Sequence, residues 1–152
     1  MNPLAVFDNP VLVAAVVAWT IAQVVKLPLE YVRQKRWDWS MLLRSGGMPS
    51  SHSSLMTAAA HGTGLTAGFD SAVFGVAVAI AMIVIYDATG IRRQAGRHAS
   101  IINTVVRDLL EGHPLEQERL REVLGHSPLE ALVGVLLGLI VAQILVPLFL
   151  SN

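Results

Sequence analysis

The sequence predicts an all-α integral membrane protein: a bundle of four transmembrane helices, with one further helix that can lie at the membrane interface. Composition is the first observation behind this prediction, because 53% of the 152 residues are hydrophobic and only 14% are charged. An average soluble domain has about a quarter of its residues charged. The second observation is that long apolar stretches recur along the chain, and the third is that nearly all charged residues lie between these stretches.

A hydrocarbon core about 30 Å thick requires roughly 20 apolar residues in a helix. Three stretches meet this requirement: Pro10 to about Val32, Ser71 to about Tyr86 with its flanks, and Pro128 to Leu150. A fourth stretch, from about Ser53 to Gly68, is rich in Ala, Gly, Thr and Ser and contains His61. Small residues suit a helix that is packed inside a bundle, so we expect this stretch to be the fourth span.

Other features of the sequence indicate a single domain and leave open the structure after Gly90 and the role of a glycine pair. The length suits a single domain over residues 1–152, with no repeat or linker, and the absence of cysteine excludes disulfides and thiolate catalysis. The segment from Gly90 to about Leu110 is basic and mixed in polarity, so it either continues the third helix or forms an interfacial helix. Gly134 and Gly138 form a small-xxx-small pair, which is typical of an intramolecular packing groove or a dimer contact.

The basic residues predict how the bundle is oriented in the membrane. All eleven lysines and arginines lie in two groups, and four spans place both groups on the same side. An excess of Lys and Arg marks the cytoplasmic side of the cell membrane, so we expect both termini outside. Binding of an anionic substrate by some of these cations would produce the same bias. The two groups are Lys26, Arg33, Lys35, Arg36 and Arg44, and Arg92, Arg93, Arg97, Arg107, Arg119 and Arg121.

The string Gly-Gly-Met-Pro-Ser-Ser-His-Ser, residues 46–53, directly precedes the second span. Its glycines allow tight turns, and Ser50 is suited to cap a helix whose first N–H groups have no partner within the helix. A phosphate at this helix start would meet backbone donors, the Ser50 and Ser51 hydroxyls and the positive end of the helix dipole. His52 would then lie within a turn of the anion, where an imidazolium can protonate a leaving alkoxide. The alternative is an ordinary loop with a capped helix start.

A second string, Leu-Gly-His-Ser-Pro-Leu-Glu at residues 124–130, opens the last span. Ser127, Pro128 and Glu130 form the pattern of an N-cap, a first-turn proline and a capping box, so Glu130 has a purely structural explanation. His126 and Glu130 are also four residues apart, which lets the carboxylate reach the imidazole if the turn is helical. An oriented neutral histidine can attack phosphorus. We expect capping and orienting to coexist, with the two carboxylate oxygens serving different donors.

Charged residues at the ends of the first and third spans extend this set of candidates. Lys26 lies near the end of an apolar helix, where it either faces a site or snorkels to the membrane surface. Asp87, Arg92 and Arg93 lie at the end of the third span. The structural interpretation of Asp87 is an ion pair with one of these arginines. The other arginine is then available to clamp a phosphate with its planar guanidinium group.

These strings resemble the motifs of the type 2 phosphatidic acid phosphatase superfamily, which is related to vanadium haloperoxidases, and in particular its small divergent branch of membrane proteins. The resemblance covers most of the chain and rests on residues 46–53, 87–96 and 125–130. In the wider superfamily a lysine-led first motif, a Pro-Ser-Gly-His second motif and an Arg-x5-His-x3-Asp third motif form a phosphatase site that uses no metal or other cofactor. The resemblance implies that His52 is the general acid, His126 the nucleophile and Glu130 its orienting carboxylate.

All three motifs depart from the superfamily pattern at single positions. Ser51 stands where the second motif has glycine, and Glu130 stands where the third motif has aspartate. Lys26 and Arg33 keep the spacing of the first motif, but Gln34 replaces its proline. Lys26 is therefore the residue that carries over from the first motif.

The arginine of the third motif is missing from its place, which Leu120 occupies. We hypothesise that Arg92 or Arg93 supplies this charge from the end of the preceding helix. His98 follows Arg92 at the spacing of the motif but lacks the acidic residue four positions later. His126 is therefore the preferred nucleophile.

With this resemblance, the sequence predicts a phosphatase that hydrolyses a phosphomonoester or diphosphate of a membrane lipid through a phosphohistidine. Phosphatidic acid, phosphatidylglycerol phosphate and a polyprenyl phosphate are candidate substrates. The expected partners are the lipid and the bilayer, a homodimer is compatible with so small a bundle, and no nucleic acid is expected. The alternatives are a scaffold that binds lipid phosphates without turnover, and a transporter, against which the location of the charges at one rim argues. We expect His61, His98 and His113 to be structural or surface residues.

Overall fold

The computed structural model describes residues 3–37, 39, 47–109 and 125–151. These residues fold into one short 3-10 helix and five α-helices, and none of them forms a strand, so the prediction of an all-α membrane bundle is confirmed. The elements are the 3-10 helix Pro3–Asp8, α1 (Pro10–Gln34), α2 (Ser51–Ala67), α3 (Ala72–Thr89), α4 (Ile91–Leu109) and α5 (Pro128–Leu150).

Side-chain caps fix where the helices begin. Asn9 accepts hydrogen bonds from the backbone N–H groups of Val11 and Leu12, at 3.0 and 3.1 Å, and so caps α1. Ser127 caps α5 within a full capping box, in which the Glu130 side chain accepts a hydrogen bond from the Ser127 N–H. Caps of this kind contribute about 1 kcal/mol each. Because the cap is readable in the sequence, α5 begins at Pro128 as predicted, and it also ends at the predicted Leu150.

Helix α2 lies at the centre of the bundle and contacts α1, α3 and α5. Lys26 near the end of α1 contacts Ser51 at the start of α2, and Val11 at the start of α1 faces Gly62 near the end of α2. The two helices are therefore antiparallel. Val146, near the end of α5, also faces Gly62, so α5 is parallel to α2. The consequence is that the end of α1 and the starts of α2 and α5 meet at one rim of the bundle.

Small residues allow the helices to approach closely. Gly134 and Gly138 of α5 both face α2: a Cβ atom at Gly134 would lie 2.4 Å from the Ser50 carbonyl oxygen, and one at Gly138 would lie 2.5 Å from that of Ser54. The small-xxx-small pair is therefore an intramolecular groove that receives the first half of α2. The buried core beyond it consists of Ala14, Ala15, Ala18, Ala58, Val141, Ala142 and Val146.

Three described stretches are long and apolar enough to cross a membrane: Pro10–Val32, Ala72–Arg107 and Pro128–Leu150. Helix α2 has 17 residues, which corresponds to about 26 Å at 1.5 Å per residue. It runs alongside α1 and α5 as the fourth member of the bundle. It begins two residues before the predicted Ser53, because the Ser50 side chain caps it.

Gly90 separates α3 from α4. Among the described elements, α4 contacts α3 alone. Its apolar residues Ile91, Ile102 and Val105 are exposed, and the same helix contains four arginines. The segment is therefore an amphipathic helix distinct from α3, as an interfacial helix requires.

Candidate active site

The ends of four helices meet at the rim that carries the predicted site. The backbone N–H of Ser50, at the start of α2, donates to the carbonyl oxygen of Glu130 in α5 at 2.9 Å. The N–H of His126, just before α5, donates to the carbonyl oxygen of Ala88 near the end of α3 at 3.0 Å. These two bonds hold the starts of α2 and α5 and the end of α3 together, while Lys26 brings in the end of α1.

His52 and His126, which are distant in sequence, lie next to each other at this rim. Their ring centroids are 5.9 Å apart and the ring planes meet at 63°. His126 is 2% exposed, and both its Nε2 atom and the Nδ1 atom of His52 are excluded from solvent. The structure therefore places the two imidazole rings side by side at the rim, although their residues are 74 positions apart in the chain.

Glu130 combines the two roles that the sequence suggests for it. Its Oε2 atom accepts a hydrogen bond from the Ser127 N–H at 3.0 Å and lies 3.3 Å from Nδ1 of His126. The Glu130 N–H in turn donates to Ser127 Oγ at 3.3 Å. Capping and orienting therefore coexist, but through one carboxylate oxygen and not through two as expected. The reason is that the first turn of α5 brings the Ser127 N–H and the His126 ring to the same side of the carboxylate.

Lys26 is buried, with 1% of its side chain exposed. Its ammonium group donates hydrogen bonds to Gln23 Oε1 and, at 3.2 Å, to Ser51 Oγ. The side chain therefore turns into the bundle and does not snorkel to the membrane surface. Gln23 is a site residue that the sequence analysis missed, although a second polar residue three positions before Lys26 on an apolar helix is the signal that could have identified it.

The two serines before His52 have different surroundings. Ser50 is fully buried, and its Oγ accepts hydrogen bonds from the N–H of Ser53 at 3.3 Å and from the Ser53 hydroxyl at 3.1 Å. It acts as the N-cap of α2, as its position before the helix predicts. Ser51 is the serine whose hydroxyl reaches Lys26. Of the pair, Ser51 is therefore better placed to meet an anion together with the ammonium group.

A cavity of about 350 Å³ opens beside Lys26, between α1, the start of α5 and the loop before α2. One part of its lining is polar or charged and the other part is apolar. The apolar residues reach the outer surface of the bundle, since Leu29 is 40% and Leu129 is 62% exposed. The cavity is lined by Lys26, Leu29, Glu30, Gly47, Met48, Ser127, Leu129 and Glu130.

The remaining predicted site residues are only partly described. Asp87 is half-buried and directly precedes Ala88, whose carbonyl oxygen binds the His126 N–H. The side chains of Arg92 and Arg93 lie outside the described residues, so the hypothesis that one of them replaces the missing arginine stays a prediction. The same is true of the Arg33 side chain. Leu120 and His113 also lie outside the described residues.

The two other described histidines lie on α4 and in the second half of α2. His98 is exposed on α4. His61 lies on α2, where its Nε2 atom is 2.7 Å from Oε1 of Gln143 in α5 and its ring contacts the ring of Phe69, with centroids 5.6 Å apart. The His61 pair thus links α2 to α5 within the bundle.

Comparisons with known proteins agree with this architecture. Residues 7–141 match the model of a family described as the divergent PAP2 family. The chain is 35% identical to the uncharacterized membrane protein YuiD of Bacillus subtilis (strain 168) over 158 aligned positions, which cover 97% of this chain and 100% of that protein. No solved structure gives a significant match.

Proposed function

We propose that this chain, which belongs to the divergent PAP2 family, is a membrane phosphatase that removes phosphate from a phosphorylated lipid. The observation that supports this proposal most strongly is the approach of His52 and His126 to a ring separation of 5.9 Å, at a rim that also holds the buried Lys26. Two imidazoles and a cation around one small volume are the groups that phosphoryl transfer through a phosphohistidine requires.

In the first step, His126 attacks the phosphorus atom with Nε2. This is the nitrogen to use, because Nδ1 is held by Glu130. An N–P bond forms, the bond from phosphorus to the lipid oxygen breaks, and His52 donates a proton to that leaving oxygen. Glu130 acts as a positioning residue: it orients the ring of His126 and stabilises the positive charge that the ring gains.

In the second step, water replaces the lipid. His52, which has lost its proton, accepts one from the attacking water molecule, the N–P bond breaks, and inorganic phosphate leaves. Both histidines then regain their starting protonation states. The reaction yields one lipid alcohol, or the lipid monophosphate where the substrate is a diphosphate, and one phosphate.

The negative charge of the transferred group would be stabilised by Lys26, by the Ser51 hydroxyl and by the first N–H groups of α2. Fixed donors in a buried site stabilise such charge more strongly than water-exposed donors do. Arg93 or Arg92 would add a guanidinium from the α3–α4 junction. The apolar side of the cavity, at Leu29 and Leu129, offers a lipid chain contact with the hydrocarbon layer. On the positive-inside rule, the lipid enters from the cytoplasmic leaflet.

The test is release of inorganic phosphate by the purified protein in detergent micelles. The substrate panel consists of phosphatidic acid, phosphatidylglycerol phosphate and polyprenyl mono- and diphosphates. The variant His126→Ala serves as the blank, and His98→Ala, at an exposed position on α4, serves as the matched histidine control. We expect release with at least one lipid by the unmodified protein and by His98→Ala, and none by His126→Ala.

The same experiment distinguishes the scaffold alternative. A protein that binds phosphate or vanadate at the rim but releases no phosphate from any lipid of the panel would be a binding protein without turnover. Equal release by His126→Ala and the unmodified protein would contradict the assignment of the nucleophile.

A further inference from the structure

Helix α5 has two unlike faces. Gly134 and Gly138 on its inner face are in contact with α2, so they cannot bind another molecule. On the outer face, one series of four leucines and a glutamine has spacings of three or four positions, as the a and d positions of a coiled coil do. Leu129, Leu132 and Leu136 on this outer face are 62%, 55% and 50% exposed. Gln143 is exposed as well. The series is Leu129, Leu132, Leu136, the half-buried Leu139 and Gln143.

Gln143 is an exception within this series, because it is polar. It lies about 22 Å from the start of α5 at 1.5 Å per residue, which is well inside a hydrocarbon layer about 30 Å thick. Every other residue of α5 after Glu130 is glycine, proline or an apolar residue. The Oε1 atom of Gln143 is engaged by His61 at 2.7 Å. Gln143 is nonetheless exposed, so a neighbouring molecule on this face would meet its carboxamide.

We propose that the outer face of α5 binds the same face of a second copy of the chain. Lipid tails offer no hydrogen-bond partner to the Gln143 amide, whereas the carboxamide of a second Gln143 both donates and accepts. Two copies inserted in the same direction have parallel α5 helices, so a two-fold axis along the membrane normal brings the two Gln143 residues to the same depth. A polar residue at one a position also fixes the register of such a pair.

This inference does not depend on the phosphatase activity, but the interface lies near the proposed site. Leu129 belongs both to the outer face of α5 and to the lining of the cavity beside Lys26. A second copy on this face would therefore border the mouth of the cavity. The small-xxx-small pair, the other candidate for a dimer contact, is occupied within the chain.

Cysteine cross-linking in membranes tests the proposal, because the chain contains no cysteine of its own. We expect Leu136→Cys to form a disulfide-linked dimer on oxidation at least tenfold more efficiently than Ile83→Cys, at a position of α3 that is 69% exposed. Adding Gln143→Leu to Leu136→Cys should lower cross-linking severalfold. Adding His61→Phe, which removes the hydrogen bond to Gln143 but keeps the carboxamide, should leave the dimer in place.

Three results would overturn the proposal. Equal cross-linking of Leu136→Cys and Ile83→Cys would show random encounters, and equal losses with Gln143→Leu and His61→Phe would show that Gln143 serves only the packing of α2 on α5. A protein mass near 16.3 kDa for the unmodified chain in mild detergent, by light scattering, would mean a monomer. The last measurement needs no variant, so it remains decisive if Gln143→Leu fails to fold.

Discussion

Two histidine clusters in this bundle contain similar side chains in different surroundings. At the rim, the His126 ring is held by the carboxylate of Glu130 and faces a second imidazole, while the buried ammonium group of Lys26 lies among the same helix ends. Within the bundle, His61 contacts the neutral amide of Gln143. The two clusters therefore differ in their partners: a carboxylate and a second imidazole surround His126, whereas a neutral amide and a phenyl ring surround His61.

The helix geometry explains why the two clusters differ. Helix starts and ends carry unsatisfied backbone groups and can reach water, so charged side chains are tolerated there. In the middle of a span, a charged group would be costly, and neutral hydrogen-bonded pairs are favoured. The rim cluster is accordingly built from helix ends, whereas the His61 pair joins two helices along their length.

Replacing one histidine in each cluster should give the largest difference in activity between the two clusters. His126→Ala removes the nucleophile, and we expect phosphate release to fall by a factor of about 10⁴ or more, as for the removal of other covalent nucleophiles. His61→Ala should change the rate less than about threefold, because the proposed mechanism assigns no step to that pair. Initial rates at saturating lipid, with matched protein amounts, measure both effects. Similar losses in the two variants would mean that fold stability and not chemistry limits the rate.

His52→Ala should separate the two roles within the rim cluster. General acid catalysis is worth roughly 10²–10⁴ in rate when the leaving group is an alkoxide. The p-nitrophenolate group of an aryl phosphate leaves without protonation, so the first step should be slowed far less with this substrate. The quantity to measure is the ratio of the two first-step rates, followed as release of the lipid alcohol and of p-nitrophenol within one turnover, because the later hydrolysis of the phosphohistidine uses His52 with either substrate. If His52→Ala slows the first step of both substrates by the same factor, His52 is not the general acid.

Lys26→Met tests whether the buried cation serves catalysis or stability. Loss of one fixed donor to the transition state lowers kcat by about 10²–10³. Methionine fills a similar volume and removes a buried charge, so the unfolding temperature in detergent should stay the same or rise. Thermal unfolding and kcat are measured on the same preparation. A large fall in unfolding temperature with unchanged kcat would assign Lys26 to structure instead.

Gly134→Ala should give the smallest effect on chemistry and a clear effect on stability. The added methyl group would meet the Ser50 carbonyl oxygen at 2.4 Å, whereas at Gly75 it would meet nothing within 4 Å. We expect Gly134→Ala to cost about 1–3 kcal/mol and Gly75→Ala to be neutral or slightly stabilising. Detergent unfolding curves of the two variants provide the comparison. Equal stabilities would indicate that α5 can shift away from α2 without loss.

The fold was largely predictable because local signals mark its boundaries. Ser127 and Pro128 predict the start of α5 through the N-cap and first-turn proline, and the helix begins there. The apolar stretch of α2 was predicted from about Ser53, and the predicted Ser50 cap is confirmed, which puts the first helical residue at Ser51. The sequence also left open whether the segment after Gly90 continues α3, because a break at one glycine depends on tertiary contacts that the local pattern does not contain.

The site was predictable only where distant motifs could be recognised as parts of one pattern. Nothing in the local sequence brings His52 to His126; their proximity arises from the parallel packing of α5 on α2. Burial of Lys26 was not predictable either, because a lysine near the end of an apolar helix can equally snorkel to the surface. Gln23 was missed for the same reason, as its role depends on the direction that the lysine takes.

Trapping the covalent intermediate tests the proposed phosphohistidine mechanism most directly. The protein is mixed with the ³²P-labelled lipid of the panel that gives the fastest release, and the reaction is stopped in alkali within one turnover. We predict a protein-bound phosphate that is stable in alkali, labile in acid and located on His126, and that is absent from His126→Ala. Phosphate release by the unmodified protein without any such label, or with equal labelling of His126→Ala, would contradict it.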